Sequence, residues 1–174
     1  HIVGGDYDQA ELEIAVRRDK KRLGGIVKHW LEKGENQRTL FFAVSVADAE
    51  AVAAKFREAG VTAEALAGDT DETLRDAMLA RLASGETKVI CNCQVLCEGY
   101  DLPSLGCVIL GRPTMSLTMY LQKVGRCMRP HGDQKYAIIL DMAGCVVTHK
   151  LPDYPRPWTL DDRKRRRKAD EEDV

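Results

Sequence analysis

Tyr120-Leu121-Gln122-Lys123-Val124-Gly125-Arg126-Cys127-Met128-Arg129-Pro130 sets a Gln, a Gly and two arginines at Q-x-x-G-R-x-x-R spacing, with a proline directly behind. Leu117, Tyr120, Leu121 and Val124 recur at helical intervals. The stretch therefore predicts a helix with one apolar face, stopped by Pro130. On such a helix Arg126 and Arg129 project from neighbouring points of one face. Planar, permanently charged guanidinium groups suit phosphate oxygens, and two together fit a polyphosphate in which negative charge develops. The same pair also fits an exposed basic helix end making surface ion pairs.

Working outward, apolar runs at 39–44, 61–66, 87–93, 107–110 and 136–140 predict five strands. The first is continuous, as in a strand buried on both faces. Helical periodicity covers 11–31, with Gly24-Gly25 as an interruption, and 47–59, closed by Gly60. A third helix, 72–83, opens on a capping box of Asp69 and Glu72 and closes at Gly85. Strands alternating with helices imply an α/β fold: a mostly parallel sheet with helices on both faces. Ligands of such sheets bind beyond the carboxyl ends of the strands. The loops after Val44, Leu66, Cys93, Leu110 and Leu140 are the functional candidates. Past Gly144 the pattern dissolves into a Pro-rich segment with Trp158, a basic run at 163–168 and an acidic end. The organisation expected is a helical lead-in (1–36), a core (37–145) and a Pro-rich, charged extension (146–174).

The chain has 174 residues, enough for one domain with a full core. Its net charge of −1 gives no global basic field, so nucleic acid would have to meet a local patch. The six cysteines are scattered, several within apolar runs. They point to reduced thiols and a cytoplasmic setting, not a disulfide framework. No run is apolar and long enough to cross a membrane. A chain opening at His1 without a Met reads as a piece of a longer protein.

A second cluster, Val89-Ile-Cys-Asn-Cys-Gln-Val-Leu-Cys-Glu-Gly-Tyr-Asp-Leu-Pro103, ends a strand in a polar loop. Gly99 permits close backbone approach. Asp101 can accept from a ribose hydroxyl or an arginine, or simply cap its own turn. The order decides: E-G-Y-D-L-P, a strand, Arg112-Pro113-Thr114, then Q-x-x-G-R-x-x-R-P resembles the second RecA-like domain of superfamily-two helicases. These are nucleic-acid-dependent ATPases of the DEAD/DEAH type. The resemblance runs from about Thr39 to Trp158, with 40–47 like motif IV, 66–70 like the next loop, 90–103 like motif V and 122–130 like motif VI. Arg-Pro-Thr before motif VI and Leu-Asp-x-Ala-Gly at 140–144 are similar to a bacterial and phage branch that includes relatives of restriction-enzyme motor subunits.

That resemblance implies a RecA-like three-layer domain. It implies Arg129 as an arginine finger, Arg126 as its companion at the terminal phosphate, and Gln122 as a link between the nucleotide site and a neighbouring domain. Gly99 and Asp101, with Gly125, fall on the nucleotide side. Ser45, Gly68, Cys93 and Cys97 fall where the family contacts the sugar-phosphate backbone, a task suited to hydroxyls and backbone N–H groups. Thr is common in the family at Cys93 and Cys97, and a thiol donates poorly. Arg112 could touch nucleic acid or pair with Asp101. ATP and Mg²⁺ are the implied cofactors, and DNA or RNA, with DNA favoured, the implied partner.

Neither a G-x-x-x-x-G-K-[ST] loop nor an acidic D-E-x-H-like motif occurs in the chain. Nothing here would cradle the β and γ phosphates. The resemblance therefore implies a preceding N-terminal RecA-like domain that holds Mg²⁺ and most of the ATP, and an isolated chain that hydrolyses none. The rival expectation is a stand-alone nucleic-acid-binding module without ATPase activity. Cys91, Cys93 and Cys97 lack the second ligand pair of a structural zinc site, so no metal is expected. His29, His131 and His149 read as surface or local structure, and Asp141 as a turn former. Trp158 would clamp the tail or stack on a base. Residues 163–168 would steer nucleic acid or form a solvated helix.

Overall fold

The computed structural model describes residues 2–19, 21–95, 105–129 and 136–157. The chain opens on an antiparallel hairpin, β1 (Ile2–Val3) and β2 (Asp6–Tyr7). Its turn is Gly4 and Gly5, at φ 61° and 85°. A two-residue hairpin turn of this kind needs positive φ at both positions, which glycine adopts without strain. Two helices follow, α1 (Gln9–Arg18) and α2 (Arg22–Lys33). The sequence pattern predicted one helix over 11–31 with its interruption at Gly24-Gly25; the break falls at Asp19 instead. The Asp19 carboxylate accepts from the N–H groups of Lys21 and Arg22, both at 3.1 Å, and so competes with the helical ladder for these donors. Gly24 and Gly25 stay inside α2, which buries Ile26, Val27 and Trp30 in the core.

The elements then alternate: β3 (Thr39–Phe42), α3 (Val46–Glu58), β4 (Ala63–Leu66), α4 (Glu72–Ser84), β5 (Val89–Asn92), β6 (Cys107–Leu110), α5 (Leu117–Gly125), β7 (Ile138–Asp141) and α6 (Cys145–His149). β3 to β7 form one parallel sheet in the order β4-β5-β3-β6-β7. Successive side chains of a strand point to opposite faces, and each strand divides between two cores. Leu40, Phe42, Leu66, Ile90, Val108 and Leu110 pack with Met78 and Leu82 of α4, Tyr120 and Val124 of α5 and Cys145 of α6. Phe41, Ala43, Ala63, Val89, Cys91, Cys107 and Ile109 pack under α2 and α3. The result is the expected three layers, helix, sheet and helix.

Local chemistry sets the ends. The cap of α4 is Asp71, not Asp69: its carboxylate accepts from Thr73 N at 2.9 Å and Leu74 N at 3.4 Å. Gly85, at φ 84°, closes the helix in the left-handed conformation. Past Gly144 the chain forms α6, which the sequence pattern did not show. The Asp141 carboxylate accepts from Ala143 N, Cys145 N and Val146 N at 2.7–3.2 Å and so starts that helix. Beyond it, the Arg156 guanidinium donates to the carbonyls of His149, Leu151, Pro152 and Tyr154 at 2.7–3.0 Å. It thereby folds the tail onto the end of α6.

Candidate functional site

Because β3 to β7 run parallel, their carboxyl ends share one edge of the sheet. Along it the loops bearing Gly68, Cys93, Ser45 and Arg112 follow one another in strand order, about 5 Å apart. The ladder continues into these loops: Cys93 N donates to Leu66 O at 3.2 Å, Ala43 N to Asn92 O at 2.9 Å and Gly111 N to Phe42 O at 3.1 Å. Four of the five residues expected to meet nucleic acid thus form one row. Cys97 lies outside the described residues, as do Gly99 and Asp101.

Ser45 caps α3: its Oγ accepts from Asp48 N at 3.2 Å, which leaves the hydroxyl proton for an outside acceptor. Gly68 is exposed in a turn closed by Ala67 N to Thr70 Oγ1 at 3.1 Å and Thr70 N to Ala67 O at 3.2 Å. No atom lies within 4 Å of where its Cβ would be. Cys93 is half-buried, with its Sγ 3.9 Å from the Val44 carbonyl, so the thiol addresses its own edge. Beneath this row Arg22 makes a two-pronged pair with the buried Asp48 and donates to Gly111 O at 2.9 Å. The Asp48 carboxylate also accepts from Val44 N at 3.0 Å. This clamp ties the start of α2 to the loops after β3 and β6; removing one partner of such a buried pair typically costs about 3–5 kcal/mol.

The arginine segment departs from the expected geometry. α5 ends at Gly125, well before Pro130, which itself lies outside the described residues. Arg126 is the C-cap, half-buried, its N–H turned back to Lys123 O at 3.3 Å. Arg129 is exposed and lies past the helix. The two arginines therefore leave a helix terminus instead of sharing a helical face. Cys127 explains the early stop: it is buried, with its Sγ 3.3 Å from Val124 O and 3.8 Å from Ile138 O. Burial pushes this thiol up to about 12. Ile138 is the first residue of β7, so the arginine end of α5 packs beside the amino end of that strand. The arginines do not join the carboxyl-edge row; they are separated from it by the height of the sheet, roughly 10 Å for a four-residue strand. Gln122 and Gly125 are half-buried on the last turns of α5, and no atom comes within 4 Å of a Cβ built on Gly125.

Two residues that the sequence did not single out also sit at the carboxyl edge. Asp6 accepts from the Thr114 hydroxyl at 2.9 Å and from Met115 N at 2.7 Å. Burial pushes its carboxyl up. The N–H groups of Met115 and Tyr7, the Thr114 hydroxyl and the Arg112 charge outweigh that and hold it below its ordinary value. Asp6 is thus a carboxylate that feels the charge of Arg112; the expected pairing with Asp101 falls outside the described residues. Gln9 donates from Nε2 to Val44 O at 2.6 Å. The Gly4-Gly5 pair between short extended dipeptides was the available signal, for a hairpin, though not for where it docks. His149 and His29 have local roles: His149 Nε2 meets Thr114 O at 2.7 Å and its ring stacks on Tyr120, while His29 Nδ1 meets Gly25 O at 2.7 Å. Among the described residues, no group of three His, Cys, Asp or Glu side chains could hold a metal ion, and no helix is long and apolar enough to cross a membrane.

The chain is 33 % identical over 157 residues to a 51.5 kDa protein of a Lactococcus phage, covering 90 % of this chain and 34 % of that protein. It is 32 % identical over 122 residues to IRC3 of Saccharomyces cerevisiae, covering 68 % and 18 %. To the ATP-dependent RNA helicase DBP3 of Meyerozyma guilliermondii it is 26 % identical over 118 residues, covering 68 % and 22 %. It therefore spans about a third or less of the length of these relatives. Among solved structures, the C-terminal domain of the DEAD-box protein Dbp5 superposes with a TM-score of 0.61 at 18 % identity, over 72 % of this chain and 71 % of that one. The Escherichia coli DEAD-box protein SrmB gives 0.61 at 23 % identity, over 73 % of each. These likenesses carry the fold, a RecA-like helicase C-terminal domain. The profile of the helicase conserved C-terminal domain matches residues 21–131, and the chain belongs to that family.

Proposed function

We propose that this chain is the second motor half of an ATP-dependent nucleic-acid helicase or translocase. It works with a preceding RecA-like domain that carries the phosphate-binding loop and the Mg²⁺ ligands. The observation that supports this most is the end of α5. A Cβ on Gly125 would meet no atom within 4 Å, and Arg129, just past the helix, is exposed, which suits a triphosphate brought to this end of α5 by the companion half. Bound there, ATP supplies the phosphoryl group that is transferred to water. Arg129 and Arg126 stabilise the charge that builds on that group, and Gln122 links this site to the neighbouring domain. Gly99 and Asp101 belong to the ribose side of the same site. Ser45, Gly68, Cys93, Cys97 and Arg112 hold the sugar-phosphate backbone without reading bases. The resemblance to restriction-enzyme motor subunits favours DNA, and the buried free thiols of Cys91, Cys107, Cys127 and Cys145 fit a cytoplasmic setting.

The test is ATP hydrolysis by the intact protein with and without DNA or RNA, beside Arg126→Ala and Arg129→Ala. We expect one polymer to stimulate turnover strongly. Arg129→Ala should lower the stimulated rate by roughly a thousandfold while ATP binding stays near the wild-type level. Full turnover in Arg129→Ala would sink the assignment.

A further inference from the structure

We propose that the segment from Asp6 to Gln9 is a latch that couples the nucleic-acid edge to the arginine helix, with Asp6 as a positioning residue. The proposal rests on the motor reading above. One end of the latch is the entry to α5. Asp6 receives the Thr114 hydroxyl and Met115 N–H; Thr114 Oγ1 in turn accepts from Ser116 N at 3.1 Å. Ser116 then caps α5 through Met119 N at 3.3 Å. The Thr114 carbonyl receives His149 Nε2 at 2.7 Å, and His149 stacks on Tyr120 of α5 with ring centroids 5.2 Å apart. Thr114, 2 % exposed, is thus a node where the hairpin, α5 and α6 meet.

The other end is Gln9, whose Nε2 holds the carbonyl of Val44 at 2.6 Å, directly before Ser45. Between the two ends, Asp8 caps α1 through Glu11 N at 2.9 Å, which fixes the direction of the segment. The two ends of a four-residue segment therefore touch, through Gln9, the loop that would hold phosphates of the polymer and, through Asp6, the start of the helix that delivers Arg126. α5 is nine residues long, a lever of about 13 Å, so a tilt at Thr114 is carried to Arg126. A misplacement of about 1 Å at a reacting centre can cost on the order of a hundredfold in rate.

Polymer-stimulated ATP hydrolysis by the intact protein tests this, with Asp6→Ala, Asp6→Asn, Thr114→Val and the Asp6→Ala/Thr114→Val double variant. Asp6→Ala should lower kcat by roughly ten- to a hundredfold, with the KM for ATP and the half-saturating polymer concentration unchanged. Asp6→Asn, which keeps an acceptor for Met115 N–H, should recover most of the loss. The double variant should fall no further than Asp6→Ala. Wild-type kcat in Asp6→Ala, or losses that multiply in the double variant, would overturn the latch. If Asp6→Ala fails to fold, Asp6→Asn and Thr114→Val are compared in the same way. If no polymer stimulates the wild type, the motor reading has failed, and amide exchange decides the latch separately. Faster exchange at Met115 and along α5 in Asp6→Ala or Thr114→Val keeps it, and unchanged exchange removes it.

Discussion

A Cβ on Gly111 would lie 2.3 Å from the Phe41 ring and 2.8 Å from the Phe42 carbonyl oxygen. Both neighbours sit in the central strand, where neither ring nor backbone can retreat. The carbonyl of Gly111 is also an acceptor for Arg22, so displacing it disturbs the clamp on Asp48. Gly111→Ala should lower the free energy of unfolding by about 1–3 kcal/mol, read from the midpoint of urea denaturation. An unchanged midpoint would mean that the strand yields more easily than its packing indicates. Arg126, Arg129 and Gln122 stood out in the sequence because a motif within ten positions needs no knowledge of the fold, whereas the roles proposed for them come from the order of the motifs and the resemblance. Asp6 was not legible. Its partners Thr114 and Met115 stand more than a hundred positions away, and no local pattern links a carboxylate in a hairpin to a distant helix start.

Among the elements, the strands and the alternation were legible because apolar runs such as Leu40 to Val44 are buried on both faces and leave little ambiguity of period. Ends were read less well. Asp19 broke the first helix because its side chain satisfies two backbone donors, a competition that apolar periodicity does not register. α5 stopped at Gly125 because Cys127 turns into the core beside Ile138, a tertiary contact that overrides the proline as the expected stop. Gly24-Gly25 looked like an interruption, yet α2 runs through both, and no atom lies within 4 Å of a Cβ at either. Gly25→Ala should therefore stabilise the protein by about 0.5–1 kcal/mol through lower backbone entropy in the unfolded chain. A rise in the urea midpoint checks it, and a fall would show that α2 needs the freedom of glycine.

At the scale of the whole molecule, the described candidate residues fall into two groups, one along the carboxyl edge of the sheet and one at the end of α5, and the sequence holds no G-x-x-x-x-G-K-[ST] loop to cradle a triphosphate. Alone, it should hydrolyse ATP no faster than the buffer does. A rate comparable to that of an intact motor, measured on residues 1–174, would contradict the division of labour proposed here. The strand order has its own consequence for biosynthesis. Thr39 of β3 pairs with Val89 on one side and Cys107 on the other, so the central strand emerges from the ribosome long before either neighbour exists. At ~5–20 residues per second the Leu-Phe-Phe run waits for seconds without a ladder partner. During that interval the nascent chain is vulnerable to aggregation, and α2, already made, and α3, made next, are the elements able to shield its Phe41 face.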